Sequence, residues 1–215
     1  MTDNFNLYRG LITTCGGLPE DNEKGNLDKF YVIELIRRGK DNPDMSAANY
    51  HFKSYHIYSW ADLERYEQEI KDICNLLHCR AYASVNYKLM SQIALDTIAE
   101  EARRIAAHDY KQFDHIFESC RGKFVDKKNN CLWVVDVDDD KSELFILKLT
   151  MYINSIRSKS KQNVLQVFPT PSGFHLVCHP FDLGRFTRMF SLCIGLNATI
   201  PEVKKNHLTL LYENL

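Results

Sequence analysis

The sequence has no run of apolar residues near the roughly 20 that a membrane-spanning helix requires. Its apolar fraction of 45% and charged fraction of 26% are those of an ordinary soluble protein. The opening MTDNFNLYRG lacks the basic start and apolar middle of a secretory signal. No segment repeats with a fixed period, and no tract is of low complexity. We therefore expect a folded, cytoplasmic protein without a membrane partner.

Strong charge of one sign is also missing. The 27 Lys and Arg and 28 Asp and Glu give a net charge of -1, so the whole molecule has no field that attracts nucleic acid. Such binding would need a local patch, and the segment between Glu143 and Asp182 contains no acidic residue. A solvated helix end explains that segment equally well. Its basic residues are Lys148, Arg157, Lys159, Lys161, His175 and His179.

The seven cysteines are an odd number and include no Cys-x-x-Cys pair. This pattern argues against a disulfide framework and against a structural zinc site. We interpret most of them as small buried apolar residues in a reducing compartment.

Strand and helix patterns follow one another through the first half. The β-branched and aromatic residues of 30–38 and 50–58 predict a hairpin with a long loop. Ser59-x-x-Asp62 is a capping pattern that predicts the start of a helix. The same reasoning predicts a strand over 80–87 and helices over about 89–107 and 113–120.

The second half predicts the order strand, helix, strand, strand, helix, strand. We therefore expect an α+β protein: a mostly antiparallel, RRM-like or ferredoxin-like sheet with helices on one face, plus an N-terminal α/β extension. The predicted modules are 1–125 and 126–215, built as one compact unit. The elements are strands 131–137, 163–168, 174–179, 199–203 and 207–213, and helices 142–158 and 181–192.

The stretch CLWVVDVDDDKSELF runs from an apolar strand into carboxylates. Asp136 and Asp138 are two apart on that strand, so their side chains point to the same face. Such a pair can bind Mg²⁺ or Mn²⁺, which bridge nucleotide phosphates. The alternative is the acidic end of a buried strand. A calcium loop is disfavoured because Lys141 stands where that loop needs glycine. A dehalogenase-type phosphatase is disfavoured because its Asp-x-Asp strand normally opens the fold, whereas here more than half the chain precedes the strand.

A second group of polar residues follows about thirty residues later. The backbone of a Ser172-Gly173 turn can bind phosphate oxygens, and His175 on the next strand can donate to them. A plain hairpin with an exposed histidine is the alternative. In the predicted topology the first and third strands are neighbours, so Asp136 and His175 are expected to converge.

Further candidates complete or border this site. Glu202 is the best-placed third carboxylate, although a surface role beside two lysines is the simpler interpretation. Arg80 is predicted to line a groove facing the second half and to contact the nucleotide, with an edge-strand role as its alternative. The His-x-Thr pattern at His207 also occurs in two-histidine phosphoesterases, but a good second copy is missing.

Together these motifs, over residues 80–213, resemble the archaeo-eukaryotic primase, or primase-polymerase, catalytic core. The resemblance implies that Asp136, Asp138 and Glu202 are ligands of Mg²⁺ or Mn²⁺. It implies that Ser172, Gly173 and His175 bind the phosphates of an incoming nucleoside triphosphate. The sequences 80-RAYASVN-86 and 209-TLLY-212 are similar to those of small bacteriophage proteins, which would place the chain in a bacterial host cytoplasm.

The function implied is synthesis or extension of a nucleic-acid primer, on a single-stranded DNA or RNA template, by metal-assisted nucleotidyl transfer. Asp136, Asp138 and His175 would then be catalytic. The alternative is a catalytically inactive, primase-like module that binds nucleotide or nucleic acid. A third class, a factor acting on a host protein machine, leaves no recognisable pattern, and the sequence names no protein partner.

Overall fold

The computed structural model describes residues 1–20, 28–46, 48–124, 131–138, 142–156, 163–195 and 198–214. Within these ranges the chain is α+β, with two antiparallel sheets and six helices. The strands are β1 (Thr2–Asp3), β2 (Lys29–Arg38), β3 (Asn49–Ile57), β4 (Arg80–Ser84), β5 (Lys88–Leu89), β6 (Trp133–Asp138), β7 (Val164–Pro169), β8 (Gly173–Cys178), β9 (Glu202–Lys205) and β10 (Leu208–Glu213). The helices are α1 (Phe5–Thr14), α2 (Trp60–Leu77), α3 (Met90–Ala106), α4 (Ile116–Lys123), α5 (Glu143–Ser155) and α6 (Leu183–Cys193).

The two sheets differ in how the chain builds them. The larger has the order β1-β10-β4-β2-β3, with the short β5 also paired to β2. The smaller has the order β7-β8-β6-β9 and comes entirely from the second half. Strand β6 therefore lies inside the smaller sheet, with β8 on one side and β9 on the other.

The predicted elements match the observed ones closely where their local signals are strong. The Ser59 hydroxyl accepts the backbone N–H of Asp62 at 3.1 Å, which confirms the predicted cap of α2. Ser142 and Asp182 cap α5 and α6 in the same way. No helix in the described ranges combines the length and the apolar character needed to cross a membrane.

Three features differ from the prediction. The strand expected over 80–87 ends at Ser84, and β5 follows it. Helix α1 was not predicted. The last two strands, expected side by side, separate: β9 pairs with β6, whereas β10 pairs with β1 and β4 in the larger sheet. Of the expected basic segment, Arg157, Lys159 and Lys161 lie outside the described residues.

Side chains alternate along β6 between two faces of the smaller sheet, and each face packs in a different core. Val135 and Val137 pack in a core with residues of α5 and α6. Val134 packs in a second core, which also contains residues of α1, α2 and the larger sheet. Because side chains alternate along a strand, Asp136 and Asp138 lie on the same side as Val134, away from α5 and α6.

Candidate functional site

A cleft of about 540 Å³ lies between the two sheets. The smaller sheet contributes the side carrying Asp136 and Asp138, together with the turn before β8. The larger sheet contributes the ends of β2, β3, β4 and β10. The polar residues lining the cleft are Arg38, Lys40, Asn49, His51, Arg80, Tyr82, Asp136, Asp138, Thr170, Ser172, His175, Lys204 and His207.

Strand register brings the predicted residues together at the centre of this cleft. Asp136 lies directly opposite His175 on β8 and directly opposite Glu202 on β9. Residues paired in this way across antiparallel strands have Cβ atoms about 4.5–5.5 Å apart. The expected convergence of Asp136 with His175 is therefore present, and Glu202 is its neighbour on the other side.

Asp136 is bonded on both of its carboxylate oxygens. His175 Nε2 lies 3.2 Å from Oδ1, and Lys204 Nζ lies 2.6 Å from Oδ2. The hydrogen bond from His175 and the one from Lys204 lower the pKa of Asp136 well below its usual value, against the opposing effect of burial. Asp136 is therefore an ionised carboxylate at neutral pH, and its negative charge is compensated by the neighbouring Lys204.

His175 connects the two sheets. Its Nδ1 lies 3.0 Å from the hydroxyl of Thr209, a fully buried residue of β10. In the neutral ring, Nε2–H donates to Asp136 and Nδ1 accepts the hydroxyl proton of Thr209. The imidazole is thus held from both ends, and its orientation depends on a strand that belongs to the other sheet.

The turn before β8 is closed by its own hydrogen bonds. The N–H of Thr170 donates to the Gly173 carbonyl, and the N–H of Gly173 donates to the Thr170 hydroxyl, both at 3.0 Å. The Gly173 amide that was expected to face phosphate is engaged within the turn. Ser172, in contrast, is exposed and lines the cleft.

Gly173 is required for a different reason. A Cβ added there would lie 1.9 Å from the carbonyl oxygen of Val137. The backbone of β8 therefore approaches β6 more closely than any side chain permits, directly beside Asp138.

Arg80 lines the cleft, but its guanidinium is occupied. It makes two bonds of 2.8 Å to Asp41 and lies 3.3 Å from Glu213. Within the described residues, Arg38 and Lys40 have no carboxylate partner. We therefore regard these two, rather than Arg80, as the cations available to an anionic ligand.

The carboxylates form no preassembled metal site. Among the described residues, no group of three or more His, Cys, Asp or Glu side chains has the geometry to hold an ion. Asp138 and Glu202 are exposed. The Lys204 ammonium nevertheless lies 2.6 Å from Asp136 and 3.2 Å from Glu202, so a cation already bridges the two carboxylates. The carboxylates of Asp136 and Glu202 offer oxygen ligands, the type that Mg²⁺ and Mn²⁺ prefer.

Sequence reasoning missed several of the residues in the cleft. In the sequence, Lys204 stands out only as a neighbour of Glu202, and Thr209 only through the His-x-Thr pattern and the segment 209-TLLY-212. Arg38, Lys40 and His51 lie on the hairpin of the larger sheet, and nothing local marks them as functional. Their place in the cleft is visible only in the folded structure, where β10 pairs with β4 and also contacts the smaller sheet through Thr209.

The pH dependence of stability should report the Asp136 contacts. Its pKa is depressed from an ordinary 3.8, so its contribution to the free energy of unfolding is complete above about pH 5 and is lost as pH falls through the folded-state pKa. We expect Asp136→Asn to destabilise the protein at pH 7 and to have a smaller effect at pH 3. Urea denaturation of both proteins at each pH measures this difference.

Asp138→Asn is the matched control, because it removes the same charge from the same face of β6. Asp138 makes no ion pair within the described residues. Asp138→Asn breaks no ion pair of the described residues, so at pH 7 it should destabilise the protein less than Asp136→Asn does. An Asp136→Asn effect of equal size at pH 3 and pH 7 would contradict the assignment.

The structure thus defines an α+β protein with a cleft that is acidic at its centre and carries cations on its walls. A scan against protein-family models finds no match, and searches of curated proteins and of solved structures also find none. The function therefore rests on the residues of the cleft.

Proposed function

We propose that the protein is a metal-dependent nucleotidyltransferase of primase-polymerase type, which synthesises or extends a nucleic-acid primer from nucleoside triphosphates. The observation that carries this proposal is the register of β6, which places Asp136 between His175 and Glu202 inside a cleft lined by cations. These are the residue types and the grouping that the resemblance to primases implies.

The topology of the smaller sheet supports the same proposal. Its chain order is β6-α5-β7-β8-α6-β9, and β6 and β8, its first and third strands, are adjacent. This order supports our proposal of an RRM-like or ferredoxin-like layer of the kind that a primase core would have. The larger sheet supplies the opposite wall of the cleft.

Each residue has a role that follows from its position. Asp136, Asp138 and Glu202 would hold Mg²⁺ or Mn²⁺, and the chemistry supplied by such an ion would be activation of the attacking hydroxyl and neutralisation of charge on the leaving pyrophosphate. His175 would have to exchange its Nε2–H bond to Asp136 for one to a phosphate oxygen, whereas exposed Ser172 is placed to donate its hydroxyl directly. Arg38 and Lys40 supply positive charge at the cleft wall.

The test is primer synthesis by the purified protein. We expect labelled product from nucleoside triphosphates and a single-stranded DNA template with Mn²⁺ or Mg²⁺, and none with chelator. Deoxynucleotides and ribonucleotides, RNA templates and a preformed primer should be tried in parallel. Absence of product under all these conditions would reject the catalytic proposal.

A second candidate function is a non-catalytic module that binds nucleotide or nucleic acid. The occupied state of Asp136 favours it, because His175 and Lys204 already use both carboxylate oxygens. Calorimetric titration with Mn²⁺ and a nucleoside triphosphate separates the two candidates. Binding of nucleic acid that does not depend on metal, and that persists without the two aspartates, identifies the module.

A further inference from the structure

The side chain of Lys204 occupies a distinctive position in the cleft. It projects from β9 to the same face as Asp136 and Glu202, and its ammonium lies within 3.2 Å of an oxygen of each. The Lys204 and Asp136 side chains are 24% and 19% exposed, so their contact is partly shielded from water, whereas the Glu202 side chain is 72% exposed. Without Lys204, two carboxylates would face each other across neighbouring strands, which is destabilising.

We propose that Lys204 is a built-in counter-ion, which occupies the cation position between Asp136 and Glu202 and must leave it before a divalent ion binds there. The inference rests on the proposed function, because it assumes that these carboxylates form the metal site. Its consequence is a self-inhibited site, in which the resting protein holds its own cation in place of the metal.

The chemistry of lysine makes this exchange feasible. Its charge is compact and stands on a flexible four-carbon chain, so it can rotate away without moving the backbone. The cleft provides open space next to it. A divalent cation brings twice the charge of the ammonium and can accept several oxygens at once, whereas Lys204 can only donate three hydrogen bonds.

The test is the affinity of Lys204→Met for Mn²⁺ alone, measured by calorimetry and by the free Mn²⁺ signal in electron paramagnetic resonance. Since the variant removes a competing charge a few ångströms from the ion, we expect binding at least about tenfold tighter than in the wild-type protein. In metal-free buffer the variant should unfold at a lower temperature, and Mn²⁺ should raise that temperature more than it does in the wild-type protein.

Lys205→Met is the matched control. It removes the same charge one residue later, but the Lys205 ammonium lies 5.0 Å from the centre of the Trp133 ring. Its Mn²⁺ affinity should stay within about twofold of the wild-type value, because its charge is not between the carboxylates. Equal effects of the two variants would show a general charge effect and overturn the inference.

The remaining outcomes are also decisive. If neither the wild-type protein nor Lys204→Met binds Mn²⁺ at millimolar concentration, the carboxylates form no metal site and the inference is overturned. Circular dichroism checks folding, and Lys204→Gln replaces the first variant if that one does not fold. Tighter binding without primer synthesis would reject the proposed function alone, whereas primer synthesis with unchanged affinity would reject the counter-ion alone.

Discussion

The double variant Asp136→Asn, Asp138→Asn should lose primer synthesis by at least about a thousandfold. Both carboxylates lie on the cleft face of β6, and the proposed chemistry needs their negative charge to hold the metal. Asparagine keeps the shape of each side chain but removes that charge. The measurement is the rate of product formation at saturating nucleotide, with Mn²⁺ and with Mg²⁺.

The control for this experiment is Asp109→Asn, Asp114→Asn. Both residues are exposed and neither lines the cleft, so the control removes two negative charges from elsewhere on the surface. It should retain wild-type activity. Thermal unfolding of both variants verifies that they are folded, and a cleft variant that still synthesises primer at the wild-type rate would reject the proposed mechanism.

Gly173→Ala should destabilise the protein by about 3 kcal/mol, the upper end of the usual cost of overpacking. The new Cβ would lie 1.9 Å from a backbone oxygen of the central strand and 2.9 Å from its carbonyl carbon. Neither atom can rotate away, so β8 must separate from β6 next to Asp138. The free energy of unfolding in urea measures the loss, and primer synthesis should fall with it.

Gly10→Ala is a control substitution that should not lower the free energy of unfolding. Gly10 lies inside α1, and a Cβ there would meet only the end of the Gln166 side chain, at 3.9 Å. Alanine favours a helix interior over glycine by roughly 0.5–1 kcal/mol. We therefore expect Gly10→Ala to be neutral or stabilising. A Gly173→Ala protein as stable as this control would show that the two strands can separate at little cost.

Local patterns predicted most of the individual helices and strands. Alternation selected Asp136 and Asp138 as the facing pair, and β6 presents both to the cleft. The cap at Ser59 and the helical spacing after it are short-range signals, and α2 follows them. Helix α1 also had such a signal, since Phe5, Tyr8, Leu11 and Ile12 are its buried residues and recur at helical spacing.

Long-range pairing could not be predicted in the same way. The sequence does not show that β10 leaves the sheet of β9, because two strands joined by a short turn usually pair as a hairpin. That choice places Thr209 against His175 and brings Arg38 and Lys40 to the cleft. The sequence also does not show that Asp41 forms an ion pair with Arg80. The two residues are far apart in sequence and meet only after β2 and β4 pair.

The position of β10 also determines the order in which the protein can be completed. The amide of Asn4 donates to the carbonyl oxygen of Leu210, 206 positions later in the chain, and β10 lies between β1 and β4. During synthesis on a ribosome, the larger sheet therefore waits until β10 has followed β1 to β4, and such distant contacts form slowly. Since Thr209 belongs to β10, the nascent chain acquires a correctly oriented His175 only after β10 has joined the larger sheet.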